Sequence, residues 1–160
     1  MVRVSKLVTP KTPLYQSCPN AVVNNRGIYR SNTNSAFENV VLITAANSAY
    51  YDMLQNWEYL ASRLNLKWVV AAMDEEIFSQ IGPSRSFTTD SRYSVYNESK
   101  YREAGFNVLS CNKFRAVLSV LENCQLDVVF SDVDNVFLKD PFKHDVKTFI
   151  ESNRYDYIYE

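Results

Sequence analysis

Three short apolar runs set the architecture of this chain: Val40–Ala45, Trp68–Met73 and Leu126–Ser131. Each is too continuously apolar for a strand with one wet face, and too short to span a membrane. Runs of this kind suit strands buried on both sides, as in a parallel sheet covered by helices. The segments between them fit that plan. Asn47 and Ser48 offer a helix start, and Met53, Leu54, Trp57, Leu60, Ala61 and Leu64 then recur at helical spacing. Asp74 can cap a short helix through Ile77, Phe78 and Ile81, which Gly82-Pro83 ends. Phe114, Val117, Leu118 and Leu121 mark another helix before the third run. Alternating strands and helices imply βαβ units, hence an α/β fold with a mainly parallel sheet flanked by helices. Further along, the pattern predicts short strands near Phe106–Leu109 and Val136–Leu138, a helix over Asp145–Ser152, and a strand over Tyr155–Tyr159. Residues 1–37 are polar and without sustained period, and read as a tail or extended lead-in. Residues 83–104 read as a long polar loop.

The third run ends in Asp132-Val133-Asp134. Alternation along a strand starts both carboxylates on one side. If the chain turns at Val133, one divalent ion can touch both. Two like charges this close repel unless a cation joins them. Oxygen-only ligands favour a hard ion, Mg²⁺ or Mn²⁺, whose remaining positions phosphate oxygens commonly fill. An isolated Asp-x-Asp in a loop is usually turn chemistry. The apolar strand leading in and the β-type run leading out favour a metal–diphosphate clamp.

In open α/β sheets, ligands bind beyond the carboxyl ends of the strands. Those ends carry Thr44, Asn47 and Ser48 after the first run, Asp74 after the second, and Asp132 with Asp134 after the third. Thr44 and Asn47 lie where a helix begins, able to reach a base, ribose or phosphate, or simply to cap the helix. Asp74 could accept from a ribose hydroxyl or a base N–H, or serve as an N-cap.

Phe130-Ser131-Asp132-Val133-Asp134-Asn135-Val136-Phe137-Leu138-Lys139-Asp140-Pro141 closely resembles the Asp-x-Asp segment of nucleotide-diphospho-sugar transferases with the GT-A (Rossmann-like) fold. The nearest resemblance is to glycosyltransferase family 77, which includes plant rhamnogalacturonan xylosyltransferases and arabinosyltransferases. Val40–Asn47 with Tyr50–Trp57 looks like that family's first strand and helix, and Val69–Glu76 like its second strand with a terminal acid. The resemblance covers roughly residues 38–160. It implies a nucleotide-sugar donor, most commonly a UDP-sugar, contacted by Thr44, Asn47, Asp74 and Asp132. It also implies a Mn²⁺ or Mg²⁺ ion on Asp132 and Asp134, and transfer to a glycan or glycoprotein acceptor with retention of configuration. Lys113 falls where similar enzymes keep a basic residue near the donor sugar or diphosphate, although an exposed helix lysine is the plainer alternative. Golgi residence follows from the same resemblance. So does the expectation that residues 38–160 are the donor-binding part of a domain truncated before its acceptor half. Catalytic groups are therefore not assignable, and the chain alone is expected to bind donor and metal weakly at most.

Composition excludes some rivals. With net charge −1, nothing points to nucleic acid or an anionic membrane surface, and no apolar run approaches the length of a transmembrane helix. Cys18, Cys111 and Cys124 lack metal-type spacing and read as small buried thiols. Asn97-Glu98-Ser99 is a glycosylation sequon that permits a lumenal location. His144, after Pro141-Phe142-Lys143, reads as a surface residue. A haloacid-dehalogenase-type phosphohydrolase also starts from strand–Asp-x-Asp, but too little chain follows Asp134 for its later motifs. A non-catalytic half-domain acting as a binding surface is the more serious alternative. An EF-hand fails because Phe137 stands where the loop needs Gly.

Overall fold

The structure is a computed structural model that describes residues 2–4, 17–30, 37–88, 104–143, 146–152 and 157–159. In chain order its elements are β1 (Val2–Val4), α1 (Asn20–Asn24), β2 (Val40–Ala46), a 3₁₀ turn (Ser48–Tyr50), α2 (Tyr51–Arg63), β3 (Val69–Ala72), α3 (Glu75–Ile81), β4 (Ser86–Thr88), α4 (Ala104–Cys124), β5 (Asp127–Phe130), α5 (Lys147–Ser152) and β6 (Tyr157–Tyr159). Among the described residues the strands form one sheet in the order β4-β3-β2-β5-β1-β6. The four strands β4, β3, β2 and β5 are mutually parallel. β1 runs antiparallel to both of its neighbours.

The apolar runs become the centre of this sheet for the reason their composition gives. Every residue of β2 and β3 is buried. Alternate side chains of β2 feed two cores. Val40, Leu42 and Ala46 pack with Leu54, Trp57 and Ala61 of α2, Ile77 of α3 and Ile150 of α5. Val41, Ile43 and Ala45 pack with Ala21 and Val22 of α1 and with Leu109, Ala116, Val117, Val120 and Leu121 of α4. The result is a sheet between two helical layers, the α/β class that the alternating pattern predicts.

Several local expectations are corrected. The lead-in expected over residues 1–37 contributes a sheet strand, β1, and the helix α1. The polar loop expected from residue 83 contains β4, whose Phe87 enters the α1/α4 core. Phe106–Leu109 is helical rather than extended, because α4 begins at Ala104. Val136–Leu138 forms no strand, and Val136 and Leu138 stand exposed while Phe137 alone turns into the core. On α4, Phe114 and Leu118 face solvent, so the buried stripe runs through Ala116, Val117, Val120 and Leu121 instead. Cys18 and Cys124 form a disulfide, and Cys111 is an exposed free thiol, so the cysteines are not three buried thiols. The sequon at Asn97 and the residue His144 lie outside the described residues.

Candidate functional site

After β2 the chain moves outward through β3 and β4, then returns by α4 to place β5 on the other side of β2. The strand order therefore reverses between β2 and β5, and loops leaving the two strands part at their carboxyl ends. A crevice lies at this point. Asn47 lines it from the end of β2, Tyr50 and Met53 from the start of the next helical segment, Lys113 from α4, and Asp132 and Asp134 from the end of β5. Met53, expected on the apolar stripe of α2, is half exposed at this rim.

The acidic turn is built from a buried hydroxyl. Ser131 leaves β5 buried, and its Oγ accepts from the Trp57 indole N–H at 3.2 Å and from the Asn135 side-chain amide at 3.3 Å. The Asn135 backbone N–H donates to the Asp132 carbonyl at 3.2 Å, closing a turn over Val133 and Asp134. The chain thus turns at Val133, and Asp132 and Asp134 both face the crevice. A second anchor follows. The buried Asp140 carboxylate accepts from the Tyr29 hydroxyl at 3.2 Å and from the Phe142 backbone N–H at 2.9 Å. Burial, then the charge of Asp140 and the bond to it, raise the Tyr29 pKa, so this phenol stays a donor. No sequence pattern announces the first anchor, and the Asp140-Pro141 step is the one local signal of the second.

Asp132 is paired across the crevice: Lys113 Nζ contacts its Oδ1. Lys113 lies inside α4, which begins at Ala104, well before the Phe114–Leu121 pattern that marks the helix in the sequence. Both side chains remain partly open to solvent, at 32% and 46% of full exposure, so the pair can exchange partners. Among the described residues no group of three or more metal-ligating side chains gathers. The donor set offered to an ion is therefore two carboxylates. That fits a hard divalent ion that keeps open positions for water and phosphate oxygens.

Thr44 and Asp74, the other expected donor contacts, are both buried and do not line the crevice. Thr44 is wholly buried within β2, on the row of Leu42 and Ala46. Asp74 is buried with both carboxylate oxygens engaged: Oδ1 accepts from the Ile77 N–H at 2.9 Å, capping α3, and Oδ2 from the Ser48 N–H at 2.6 Å. It ties the end of β2 to the end of β3, and acts on the crevice by holding the Asn47–Tyr50 segment.

With this geometry in place, the comparison with protein families is specific. The family model described as nucleotide-diphospho-sugar transferase matches residues 64–159, more than half of the chain. No curated protein and no solved structure matches it.

Proposed function

The chain belongs to the nucleotide-diphospho-sugar transferase family, and we propose that its crevice binds a UDP-sugar through a divalent ion, Mn²⁺ or Mg²⁺, held on the Asp-x-Asp pair Asp132 and Asp134. In this reading it is a family 77-like glycosyltransferase that serves transfer to a glycan or glycoprotein acceptor with retention. Residues 38–160 provide the donor-binding part. The observation that supports it is the convergence of Asn47, Lys113, Asp132 and Asp134 at the point where the strand order reverses.

When bound, the ion supplies charge neutralisation for the departing diphosphate. The chain's own residues do the rest of the donor-side work. Ser131, Trp57 and Asn135 hold the turn so that both carboxylates converge. Lys113 provides an ammonium within reach of a diphosphate held at the β5 turn. Asn47 lines the crevice from the end of β2, and Tyr50 and Met53 offer apolar surface to the nucleoside. The Cys18–Cys124 disulfide supports an oxidising compartment, in keeping with the Golgi lumen.

Calorimetric titration of UDP with and without Mn²⁺ tests the proposal, beside the double variant Asp132→Ala/Asp134→Ala. The expected outcome is Mn²⁺-dependent binding that the double variant loses. A folded, monodisperse wild-type chain that binds no UDP in the presence of Mn²⁺ overturns it.

A further inference from the structure

We propose that Lys113 guards Asp132 against a bare divalent ion, so that ion and nucleotide-sugar enter the crevice as a coupled pair. This rests on the donor-site proposal above and adds to it a coupling between ion and nucleotide. The observation is the direct contact between Lys113 Nζ and Asp132 Oδ1, the carboxylate that begins the clamp.

An ammonium and a divalent ion cannot both sit against one carboxylate without repelling each other at a few ångströms. One must leave or both must be compensated. Charge counting shows which partner resolves the conflict. Asp132, Asp134 and Lys113 together leave the cluster one negative charge. A divalent ion alone carries it past neutrality to one positive charge. The diphosphate of a nucleotide-sugar is doubly negative, and restores a net negative cluster. The diphosphate also gives Lys113 a new acceptor when the ion takes its place on Asp132.

The geometry permits that exchange. The lysine projects from α4, on the opposite wall from the β5 turn, and both line the crevice with Asp134. Neither partner of the pair is buried, so releasing it does not strand a charge in the core. The lysine stem has enough rotatable bonds to swing from carboxylate to phosphate without moving the helix. The consequence is thermodynamic coupling, and coupling is reciprocal: Mn²⁺ raises UDP affinity by the same factor that UDP raises Mn²⁺ affinity.

The test measures Mn²⁺ affinity without nucleotide, by water-proton relaxation, for the wild type, Lys113→Met and Lys113→Arg. Methionine keeps the stem and the helix propensity of lysine and removes only the charge. Lys113→Met is expected to bind Mn²⁺ about tenfold more tightly, the scale of one unit-charge interaction at close range in a wet crevice. Lys113→Arg is expected to stay near the wild type. The UDP–Mn²⁺ coupling factor should shrink in Lys113→Met and persist in Lys113→Arg. If the wild type binds UDP with Mn²⁺ but Lys113→Met takes up bare Mn²⁺ no better, the guard is overturned while the donor site stands. If no variant binds Mn²⁺ with or without UDP, the donor-site proposal falls and the guard with it.

Discussion

Glu58 lies on α2 with Oε1 buried and without a hydrogen-bond partner. Burial raises its pKa to about 7 from the ordinary 4.5, and the nearby Arg85 guanidinium offsets part of the rise. That guanidinium also stacks over the Trp68 ring at 4.6 Å, so its charge is shared. The sign of the effect follows from where the proton is held more tightly. Between about pH 4.5 and 7 the folded chain keeps a proton that the unfolded chain has lost, so stability falls as pH rises through that window and levels off above it. Partial exposure screens the cost, so the slope is shallow. Glu58→Gln copies the protonated form. Thermal melts from pH 4.5 to 8 should show the variant matching the wild type at the acid end and exceeding it at the alkaline end. Parallel curves would show that Glu58 is not the group responsible. The other residues at this scale show what a one-dimensional pattern conveys. Asp132 and Asp134 are legible because alternation and a turn are both written locally. Thr44 is less so, since it sits inside a strand buried on both faces and nothing in Ile43-Thr44-Ala45 says what its hydroxyl meets. Asp74 was readable as a cap, but its second bond comes from Ser48, which only the fold brings near.

Between elements, the Trp57–Ser131 bond couples the middle of α2 to the end of β5. Trp57 is wholly buried, and its ring also packs against Trp68 at 6.2 Å and Phe137 at 5.5 Å. Its indole N–H has no water to turn to if Ser131 is removed. Ser131→Ala should therefore cost about 1–3 kcal/mol, the penalty for stranding a buried donor. It also frees the Asn135 amide, so the acidic turn loosens and Mn²⁺-dependent UDP affinity should fall with stability. Urea melts beside the calorimetric titration read both, and a stable variant with full affinity would remove Ser131 from the scaffold of the site. The elements on either side differ in how well the sequence announces them. β2, β3 and β5 are central strands whose burial on both faces demands unbroken apolar runs, so they were plain. β4 is a three-residue edge strand in a polar stretch, Ser86-Phe87-Thr88, with only Phe87 buried against the core as an apolar anchor. Residues Phe106 to Leu109 mix aromatic, β-branched and polar side chains, a short window that fits either period. Membership in a 21-residue helix decides the matter, and that is a property of the whole segment.

For the molecule as a whole, the strongest constraint outside the sheet is the Cys18–Cys124 disulfide, which closes a span of 106 residues. That span includes β2, β3 and β4 and every helix but α5. Cysteines so far apart leave no spacing signal, which is why the pairing could not be read in advance. In the chain-entropy model a loop this long carries most of the stabilisation a disulfide can give, and removing such a bond typically costs about 2–5 kcal/mol. The bond sits at the carboxyl-terminal end of α4, whereas Lys113 lies about 16 Å back along the same helix at its rise per residue. Stability and donor binding should therefore separate. Cys18→Ser/Cys124→Ser is expected to unfold at markedly lower urea while its UDP affinity with Mn²⁺ stays within about threefold, half of one tenfold step in free energy. Alkylation of the native chain, followed by peptide mapping under non-reducing conditions, should label Cys111 and leave Cys18 and Cys124 joined. Labelling of all three in protein folded under oxidising conditions would refute the bridge and remove its support for a lumenal setting. Loss of UDP binding in a double variant that still folds would show instead that the far end of α4 sets the position of Lys113. The guard on Asp132 would then depend on the redox state of a bond outside the crevice.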